Sequence, residues 1–359
     1  MCKYQIILVG RFLLSIQDKL NQEVSNSNKE KMTILRDHVL LNTPISVLID
    51  PANLCNFNCT FCPTGDKDLL KKVGRPEGVM DWGLYTKVIK DLEVFPSKIK
   101  ALLLFKDGEP LLNKYLSDMV ILAKEKKVAN SISITTNGAL LTREWSKKLI
   151  GAGLDSIRIS VEHVSNEGYK AITRRFDNYE KIIENVRILY EERNLSDSKM
   201  EIHVKIVDAG LREEEKEKFY RDFHTICDSI NIDHLMGWSS TEMKDFTLGM
   251  DVKKGMTGAN KLFMNRLICP SPFKTLAINF NGEVSVCCVD WSMKTIVGDV
   301  HNESLVEIWN GENLRRFRLK HAQGKRHEIS PCSNCHHFYG YGPESDIDSE
   351  QNRLISILS

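Results

Sequence analysis

The chain has 359 residues and a mass of 41.0 kDa, with 42% hydrophobic and 27% charged residues, which is typical of a globular protein. Lys and Arg number 49 against 48 Asp and Glu, so no basic field indicates binding to nucleic acid or to an anionic membrane. The ten cysteines are too few and too clustered for a disulfide framework. Their grouping indicates metal binding in a reducing compartment, and we expect a cytoplasmic protein.

Residues 1–44 form a polar lead-in that is short for an independent domain. An apolar stretch near its start is interrupted by Arg11 and is too short to span a bilayer. We therefore expect an amphipathic helix there, and neither a membrane anchor nor a cleaved signal peptide.

From residue 45 to about 236, short apolar runs alternate with amphipathic segments. The runs that predict strands are 45–49, 99–105, 131–135, 156–161, 201–207 and 229–235. The segments that predict helices are 82–95, 114–127, 143–150, 179–192 and 212–227. This alternation predicts an α/β fold with a parallel sheet. Six strands are too few for a closed eight-stranded barrel, so we expect an open partial (βα)6 TIM-like barrel with ligands at the carboxyl ends of its strands.

The pattern changes after this core. Residues 237–265 have weak periodicity and several glycines, and we interpret them as a linker. Beyond it, Asn281-Gly282 between two apolar runs predicts a β-hairpin, and a helix is expected around 304–319. We therefore predict a small α+β domain over 266–345 and a polar, loosely held tail over 346–359.

Three cysteines follow the first predicted strand closely: Cys55, Cys59 and Cys62, with the spacing CxxxCxxC. Thiolates are soft ligands suited to zinc, copper(I) or iron–sulfur clusters. A closed zinc site uses four protein ligands, and a four-iron cluster is normally held by four cysteines. A cluster held by three would leave one iron open to a small molecule. This interpretation predicts a second ligand-binding apparatus further along the chain.

Polar motifs follow the next three predicted strands. The first is Gly108-Glu109-Pro110, in which glycine permits a close backbone approach and the carboxylate can pair with a cation. The others are Thr135-Thr-Asn137-Gly138 and Arg158-Ile-Ser160-Val-Glu162. Each motif alone is a common turn or strand end. Their combination at successive strand ends, downstream of CxxxCxxC, is a far more specific signal.

Together these motifs resemble the radical S-adenosylmethionine (SAM) superfamily over roughly residues 45–236. The resemblance implies a [4Fe-4S] cluster on the three cysteines, with SAM chelating the open iron. It implies that Phe61 lies against adenine and that Gly108, Glu109 and Pro110 receive the methionyl ammonium. Ribose or carboxylate contacts are implied for Ser160 and, more loosely, for Thr135 and Asn137. Lys106-Asp107 replaces the small residues that usually precede Gly108.

A second group of cysteines, Cys269, Cys287, Cys332 and Cys335, is a complete ligand set. By themselves these four thiols fit structural zinc as well as an iron–sulfur cluster. The pattern C…GxxxxC…CxxC after such a core resembles the SPASM extension, or its shortened twitch form. The resemblance implies an auxiliary [4Fe-4S] cluster, and one such cluster is expected because no cysteine follows Cys335.

The resemblance implies cleavage of SAM to a 5′-deoxyadenosyl radical, with electrons from a flavodoxin- or ferredoxin-type donor. An auxiliary cluster with all four positions filled can accept an electron, which favours oxidation of a small polar substrate. A carbohydrate or aminocyclitol fits, as in the aminocyclitol dehydrogenases of the subgroup. Oxidation of an alcohol requires a base, and the candidates on core strands are Arg158, His203 and Lys205. Cys288 can line the substrate cavity, donate a hydrogen atom or simply pack, and we favour packing.

Two other functions stay open. The first is a maturase that cross-links or epimerises a ribosomally made peptide. Many such enzymes carry an N-terminal leader-binding domain, for which the 44-residue lead-in is too short. The second is a non-enzymatic zinc or iron–sulfur protein, which would form no 5′-deoxyadenosine from SAM.

Overall fold

The computed structural model describes residues 34–251 and 264–359, so Cys2 and the amphipathic helix expected near the start lie outside the described residues. The strands, in chain order, are β1 Ser46–Ile49, β2 Ile99–Leu103, β3 Ala129–Thr136, β4 Ser156–Val161, β5 Glu201–Asp208, β6 Ser229–His234, β7 Thr275–Ile278, β8 Glu283–Ser285 and β9 Ile296–Asp299. They form one sheet in the order β6-β5-β4-β3-β2-β1-β7-β8-β9.

The α-helices of the described residues connect these strands or cover the sheet. They are α1 Lys67–Val73, α2 Trp82–Leu92, α3 Leu116–Lys126, α4 Arg143–Gly151, α5 Asn166–Thr173, α6 Tyr179–Leu195, α7 Glu213–Phe223, α8 Ser271–Lys274, α9 Leu305–Asn310, α10 Glu312–Ala322, α11 Ser330–Ser333 and α12 Gln351–Leu358. Short 3-10 helices occupy Leu35–His38, Pro63–Gly65, Pro110–Leu112, Arg326–Glu328, His337–Gly340, Pro343–Ser345 and Asp348–Glu350. Within the described residues, no helix has the length and apolar character needed to cross a bilayer.

The six strands predicted in the first part of the chain form the parallel part of the sheet. Each of β1 to β5 pairs in parallel with the strand that follows it in the chain. Ile157, Ile159 and Val161 of β4 are buried in the core shared with the helices, so the alternate residues Arg158 and Ser160 lie on the opposite face. This arrangement is the expected open TIM-like barrel, with its helices on one face and a polar inner face on the other.

A seventh parallel strand joins the barrel from the second cysteine-rich region. Strand β7 pairs with the free edge of β1, from Ser46 opposite Thr275 to Ile49 opposite Ile278. The predicted hairpin then follows, since β8 pairs antiparallel with β7. Gly282 in its turn has φ +90°, a conformation that glycine adopts without strain. The C-terminal domain therefore continues the barrel sheet, which the sequence pattern did not predict.

The first residues of the predicted linker are packed between the barrel and the C-terminal domain. Trp238 Nε1 donates to the backbone oxygen of Phe61 at 3.0 Å, next to Cys62. Trp291 Nε1 donates to the backbone oxygen of Ser239 at 2.9 Å, and Ser239 Oγ donates to that of Val289 at 2.5 Å. Residues 237–251 thus connect the barrel to the C-terminal domain through specific hydrogen bonds.

Two expectations about the C-terminal region are wrong. The helix expected around 304–319 is divided into α9 and α10 at Gly311, where a Cβ atom would lie 2.7 Å from the Glu307 carbonyl oxygen. The tail is not loosely held, because α12 packs against α10. Leu354 and Leu358, spaced by one helical turn, are buried in one cluster with Ala322.

We expect Leu354→Ala to lower the free energy of unfolding by about 2 to 5 kcal/mol, because it empties a fully buried position. The matched control is Ile357→Ala in the same helix, where the side chain is 51% exposed, and its effect should stay below about 0.5 kcal/mol. Urea denaturation followed by circular dichroism measures both changes. Equal effects of the two substitutions would contradict a docked α12.

Candidate functional site

The first cysteine loop leaves the carboxyl end of β1 and is held by backbone hydrogen bonds. Asn58 N donates to Thr173 O at 2.9 Å, and Cys62 N donates to Cys59 O at 3.2 Å. Phe57 N donates to Cys55 Sγ at 3.4 Å, a bond that favours a thiolate over a thiol. The local turns therefore fix this loop beside the end of the strand.

Gly108 packs directly against the same loop. A Cβ atom at Gly108 would lie 2.2 Å from the Ala52 carbonyl oxygen and 2.3 Å from that of Leu54, so only glycine fits. The next residue, Glu109, donates its N–H to Leu54 O at 2.8 Å. The sequence motif predicted a close backbone approach to a ligand, and the structure gives the glycine a second reason, which is contact with the cysteine loop.

The Glu109 carboxylate connects three strand ends. It accepts hydrogen bonds from Thr136 Oγ1 at 2.7 Å and from Asn137 N at 2.8 Å. Asn137 Nδ2 lies 3.8 Å from Cys55 Sγ and donates to Asn56 Oδ1 at 2.8 Å. Glu109, Asn137 and the cysteine loop, predicted separately from three strand ends, are therefore in one hydrogen-bonded group.

Other predicted SAM contacts are placed differently. Thr136, and not the predicted Thr135, bonds Glu109, because successive residues of β3 face opposite sides of the sheet. The Thr135 hydroxyl is buried without a hydrogen-bond partner among the described residues. Ser160 lies at the end of β4 on the inner face, and the Phe61 carbonyl is held by Trp238. Their contacts with SAM remain predictions.

Burial dominates the electrostatics of this site. It raises the pKa of Cys55 to about 12, with a further contribution from Glu109, and the pKa of Cys62 to about 11. It likewise raises the pKa of Glu109 and of Glu162 to about 7. Thiolates and carboxylates buried so close together need a positively charged partner. A metal cluster with a cationic ligand would supply that charge, so the residues fit the expected group.

The second group of cysteines surrounds one cavity. Cys269, Cys287, Cys332 and Cys335 all line it, and it holds about 400 Å³ of space outside protein atoms, counting its open side. Cys269 precedes β7 and Cys287 follows β8, so the hairpin and the loop around α11 supply all four thiols. Residues separated by up to 66 positions in the chain are thus brought together by the fold.

The four-cysteine cavity has room for a group larger than one metal ion. In residues 34–251 and 264–359, no three Cys, His, Asp or Glu side chains converge closely enough to hold one metal ion. Tetrahedral zinc, with Zn–S bonds of about 2.3 Å, would draw the sulfurs to within about 3.8 Å of one another. A four-iron cluster lies between its cysteines and keeps them further apart.

Hydrogen-bond donors surround the same cavity. Backbone N–H groups of Ser271, His337 and Phe338 favour the thiolates of Cys269 and Cys335, against burial that raises the pKa of both. His321, which lines the cavity, is buried with both ring nitrogens unpartnered among the described residues. Such donors suit an anionic group with several acceptor atoms.

Cys288 lies beside this cavity and does not line it. Its thiol donates to Cys287, which lowers the pKa of Cys287 and raises that of Cys288. His337 Nε2 lies 4.0 Å from Cys288 Sγ and 3.0 Å from the Tyr341 hydroxyl. These contacts are compatible with the packing role that we favoured.

The three predicted base candidates share the inner face of the barrel. Arg158 on β4 is opposite His203 on β5. His203 Nδ1 lies 2.7 Å from Ser229 Oγ, and Lys205 forms an ion pair of 3.0 Å with Asp233. Burial, followed by the neighbouring Arg158 charge, lowers the pKa of His203 to about 4.

Sequence reasoning missed several residues of this region, namely Asp50, Asn56, Lys106 with Asp107 as an ion pair, Thr136, Asp233, Trp238 and His321. For Thr136 the signal was present, because it adjoins the predicted Asn137 on a strand. For Trp238 and Asp50 no local motif exists, since their roles arise from contacts with distant segments.

Comparison with known proteins agrees with this geometry. Residues 49–223 match the radical SAM superfamily, and residues 269–336 match SPASM, an iron–sulfur cluster-binding domain. The chain carries a radical SAM domain and a SPASM domain. A radical SAM domain uses a [4Fe-4S] cluster and SAM, and SPASM domains bind additional iron–sulfur clusters. Each of the two domains contains one of the two cysteine groups.

Relatives of this radical SAM protein differ in what they act on. A GTP 3′,8-cyclase of Chlorobaculum tepidum is 32% identical over 162 residues, which is 44% of this chain and 44% of that protein. The chain thus matches less than half the length of this relative. BtrN in complex with AdoMet and 2-DOIA has a TM-score of 0.50 at 18% identity, covering 81% of this chain and 92% of BtrN.

A third comparison is with Streptococcus suis SuiB bound to its precursor peptide SuiA. It has a TM-score of 0.59 at 13% identity and covers 78% of this chain and 67% of SuiB. At these identities the two structural matches establish a shared fold, and the substrate of this radical SAM protein has to be argued from its own residues.

We expect the affinity of the cluster-loaded protein for SAM to fall as the pH drops through about 7. Glu109 has a raised pKa of about 7, and only its carboxylate form attracts an ammonium group, so protonation below that pH removes the contact. Glu109→Gln should weaken binding about tenfold or more and remove this pH dependence. Equilibrium dialysis with labelled SAM at pH 6 and pH 8 measures both effects.

The control is Glu167→Gln, an exposed glutamate on α5, which should bind SAM as the parent does. If Glu109→Gln kept the parental pH profile, the titrating group would be another one, such as Glu162, and the assigned ammonium contact would be wrong.

We also expect anaerobically purified protein to hold about eight irons per chain, as two four-iron clusters require. Cys335→Ala should reduce this to about four and spare SAM cleavage, because it removes a ligand from the cavity of the SPASM domain alone. Iron, sulfide and zinc analysis measures the content. One zinc with about four irons in the parent would contradict an auxiliary cluster.

Proposed function

We propose that this protein is a radical SAM oxidoreductase that oxidises a small polar substrate, with the four-cysteine cavity holding the electron acceptor. The observation that carries the proposal is the pairing of β1 with β7, which joins the two cysteine groups through one sheet. A carbohydrate or an aminocyclitol is the substrate class that we favour. The reaction would be dehydrogenation of an alcohol.

When bound, SAM and its cluster supply a 5′-deoxyadenosyl radical that can remove a hydrogen atom from a C–H bond. The protein's own residues would hold and shield the reactants. Glu109, already oriented by Thr136 and Asn137, would hold the methionyl ammonium. Trp238, bonded to Phe61, closes one side of the first cysteine loop and would limit the access of water.

The inner face of the barrel supports a polar substrate. Arg158, His203, Lys205 and Asp233 lie on neighbouring strands there, with Asn231 opposite Lys205. Lys205 and Asp233 pair with each other and His203 bonds Ser229, yet an apolar substrate would still replace the water around these charged groups and offer no hydrogen bond in return, which is costly. Hydroxyl or amino groups of a sugar-like molecule would satisfy them.

Among the base candidates, His203 suits the role best. Burial lowers its pKa to about 4, so its ring is neutral at pH 7 and has an unprotonated nitrogen, although the low pKa makes it a weak base. Arg158 stays protonated, and Lys205 is engaged by Asp233. Loss of a hydroxyl proton to His203 would accompany oxidation at the same carbon.

The partners follow from the same chemistry. A flavodoxin- or ferredoxin-type protein would supply the electron for SAM cleavage. Seven cysteines committed to metal binding suit a reducing compartment such as the cytoplasm.

The test is anaerobic incubation with SAM, a reductant and a panel of substrates, followed by mass spectrometry. The panel takes its members from the relatives: GTP, the 2-DOIA of the BtrN complex, aminocyclitols and a SuiA-like peptide. We expect 5′-deoxyadenosine in every reaction, and a product two mass units lighter from a polyol or an aminocyclitol. His203→Gln should reduce product formation at least about tenfold and spare 5′-deoxyadenosine.

Cys59→Ala should abolish 5′-deoxyadenosine altogether, because it removes one ligand of the first cluster. If this variant cleaved SAM at the parental rate, the protein would not be a radical SAM enzyme. If only the peptide were modified, the maturase interpretation would replace the dehydrogenase.

A further inference from the structure

Two charged residues stand directly before Gly108, where the family pattern has small residues, and both side chains are fully buried. The side chains of Lys106 and Asp107 are 0% and 1% exposed, and they form an ion pair. Removing two charges from water costs more than their attraction returns, unless further hydrogen bonds support them. Because the pair lies immediately before Gly108 and Glu109, the hydrogen bonds that support it show which segments it contacts.

The pair touches both cysteine-bearing segments. Thr64 Oγ1, two residues after Cys62, donates to the Asp107 carbonyl at 2.5 Å. Lys106 Nζ donates to the Asp290 carbonyl, three residues after Cys287, at 3.2 Å. Two adjacent residues thus contact both the first cysteine loop and the segment that follows Cys287. Lys106 and Asp290 are 184 positions apart in the chain.

A second buried carboxylate belongs to this group. Asp50, directly after β1, is 1% exposed, and its carboxylate meets the backbone N–H of Asp107, which favours the ionised form. The charges that act on it are those of Asp107, Lys106 and Arg75. Burial raises the pKa of Asp50 to about 7. The buried ammonium of Lys106 therefore lies near two acidic side chains, Asp107 as its ion-pair partner and Asp50, which is a carboxylate above about pH 7, in a region with little water to screen them.

The same charges act on the cysteine segments. Asp290, whose carbonyl oxygen accepts from Lys106 Nζ, lines the four-cysteine cavity together with Cys287. A cluster gains one negative charge when it is reduced, so a nearby buried cation stabilises the reduced form and a nearby anion destabilises it. Charge at position 106 and charge at position 50 should therefore act on the reduction potential in opposite directions.

We propose that Lys106 is a positioning residue for the auxiliary site, whose buried ammonium raises the reduction potential of the cluster held by Cys269, Cys287, Cys332 and Cys335, while Asp50 lowers it. This inference rests on the proposed auxiliary cluster. In this proposal, two residues outside both cysteine groups adjust the reduction potential of the electron acceptor through their charges.

The experiment uses full-length, anaerobically reconstituted protein in which Cys55, Cys59 and Cys62 are replaced by alanine, so that only the auxiliary cluster gives a signal. Redox titration followed by electron paramagnetic resonance measures its potential. Lys106→Met should lower the equilibrium constant for reduction at least about tenfold, a negative shift of about 59 mV for one electron. Asp50→Asn should shift the potential in the positive direction.

Lys294→Met is the matched control. This lysine is exposed four residues after Asp290, where water screens its charge, so the potential should stay at the parental value. Lys106→Arg keeps the charge and should keep most of the parental potential. If Lys106→Met did not fold, the Asp50→Asn and Lys106→Arg variants would still decide the question.

Opposite shifts for Lys106→Met and Asp50→Asn support the proposal, because a general loosening of the site would move both potentials the same way. Unchanged potentials, or shifts of the same sign in both variants, would overturn this inference. They would leave the proposed auxiliary cluster unaffected. A parent without any titratable auxiliary signal would overturn this inference together with the proposed electron acceptor.

Discussion

Strand β1 is hydrogen-bonded on both of its edges, and both cysteine sites depend on this double pairing. On one edge β2 brings Gly108 and Glu109 against the first cysteine loop. On the other edge β7 brings the hairpin that leads to Cys287. A single strand therefore fixes the position of the first cysteine loop relative to the SPASM domain. If β1 were an edge strand, nothing in the sheet would relate the two cysteine groups.

The electrostatics of the interior follow from this arrangement. The buried thiol of Cys55 and the carboxylates of Asp50, Glu109 and Glu162 have raised pKa values, and burial is the largest cause in each case. Buried side chains with strongly shifted pKa values are typical of functional sites, including those that bind a cofactor. Metal binding would supply the missing positive charge and would couple to folding, because the ligands must lose their protons to bind. The same interior is the basis of the influence proposed for Lys106, because its buried charge is poorly screened by water.

Local patterns predicted most of the fold. The six parallel strands, their helices and the Asn281-Gly282 hairpin were predictable because periodicity and turn residues reflect local backbone geometry. The loosely held tail was a wrong prediction, since the polar residues of α12 obscured the buried pair Leu354 and Leu358. The hydrogen bond from Thr136 to Glu109 was missed because a motif gives the order of residues and leaves open which face of the strand each occupies.

The sequence by itself determined the chemistry of the two sites. Cysteine spacing and the polar residues after successive strands specify ligand type and strand end, and both are local properties. Only the tertiary structure decided that β7 would dock on β1, that Trp238 would bond Phe61 and that Lys106 would reach Asp290. These contacts join segments far apart in the chain, so they depend on how complete surfaces pack and on which buried polar groups find partners.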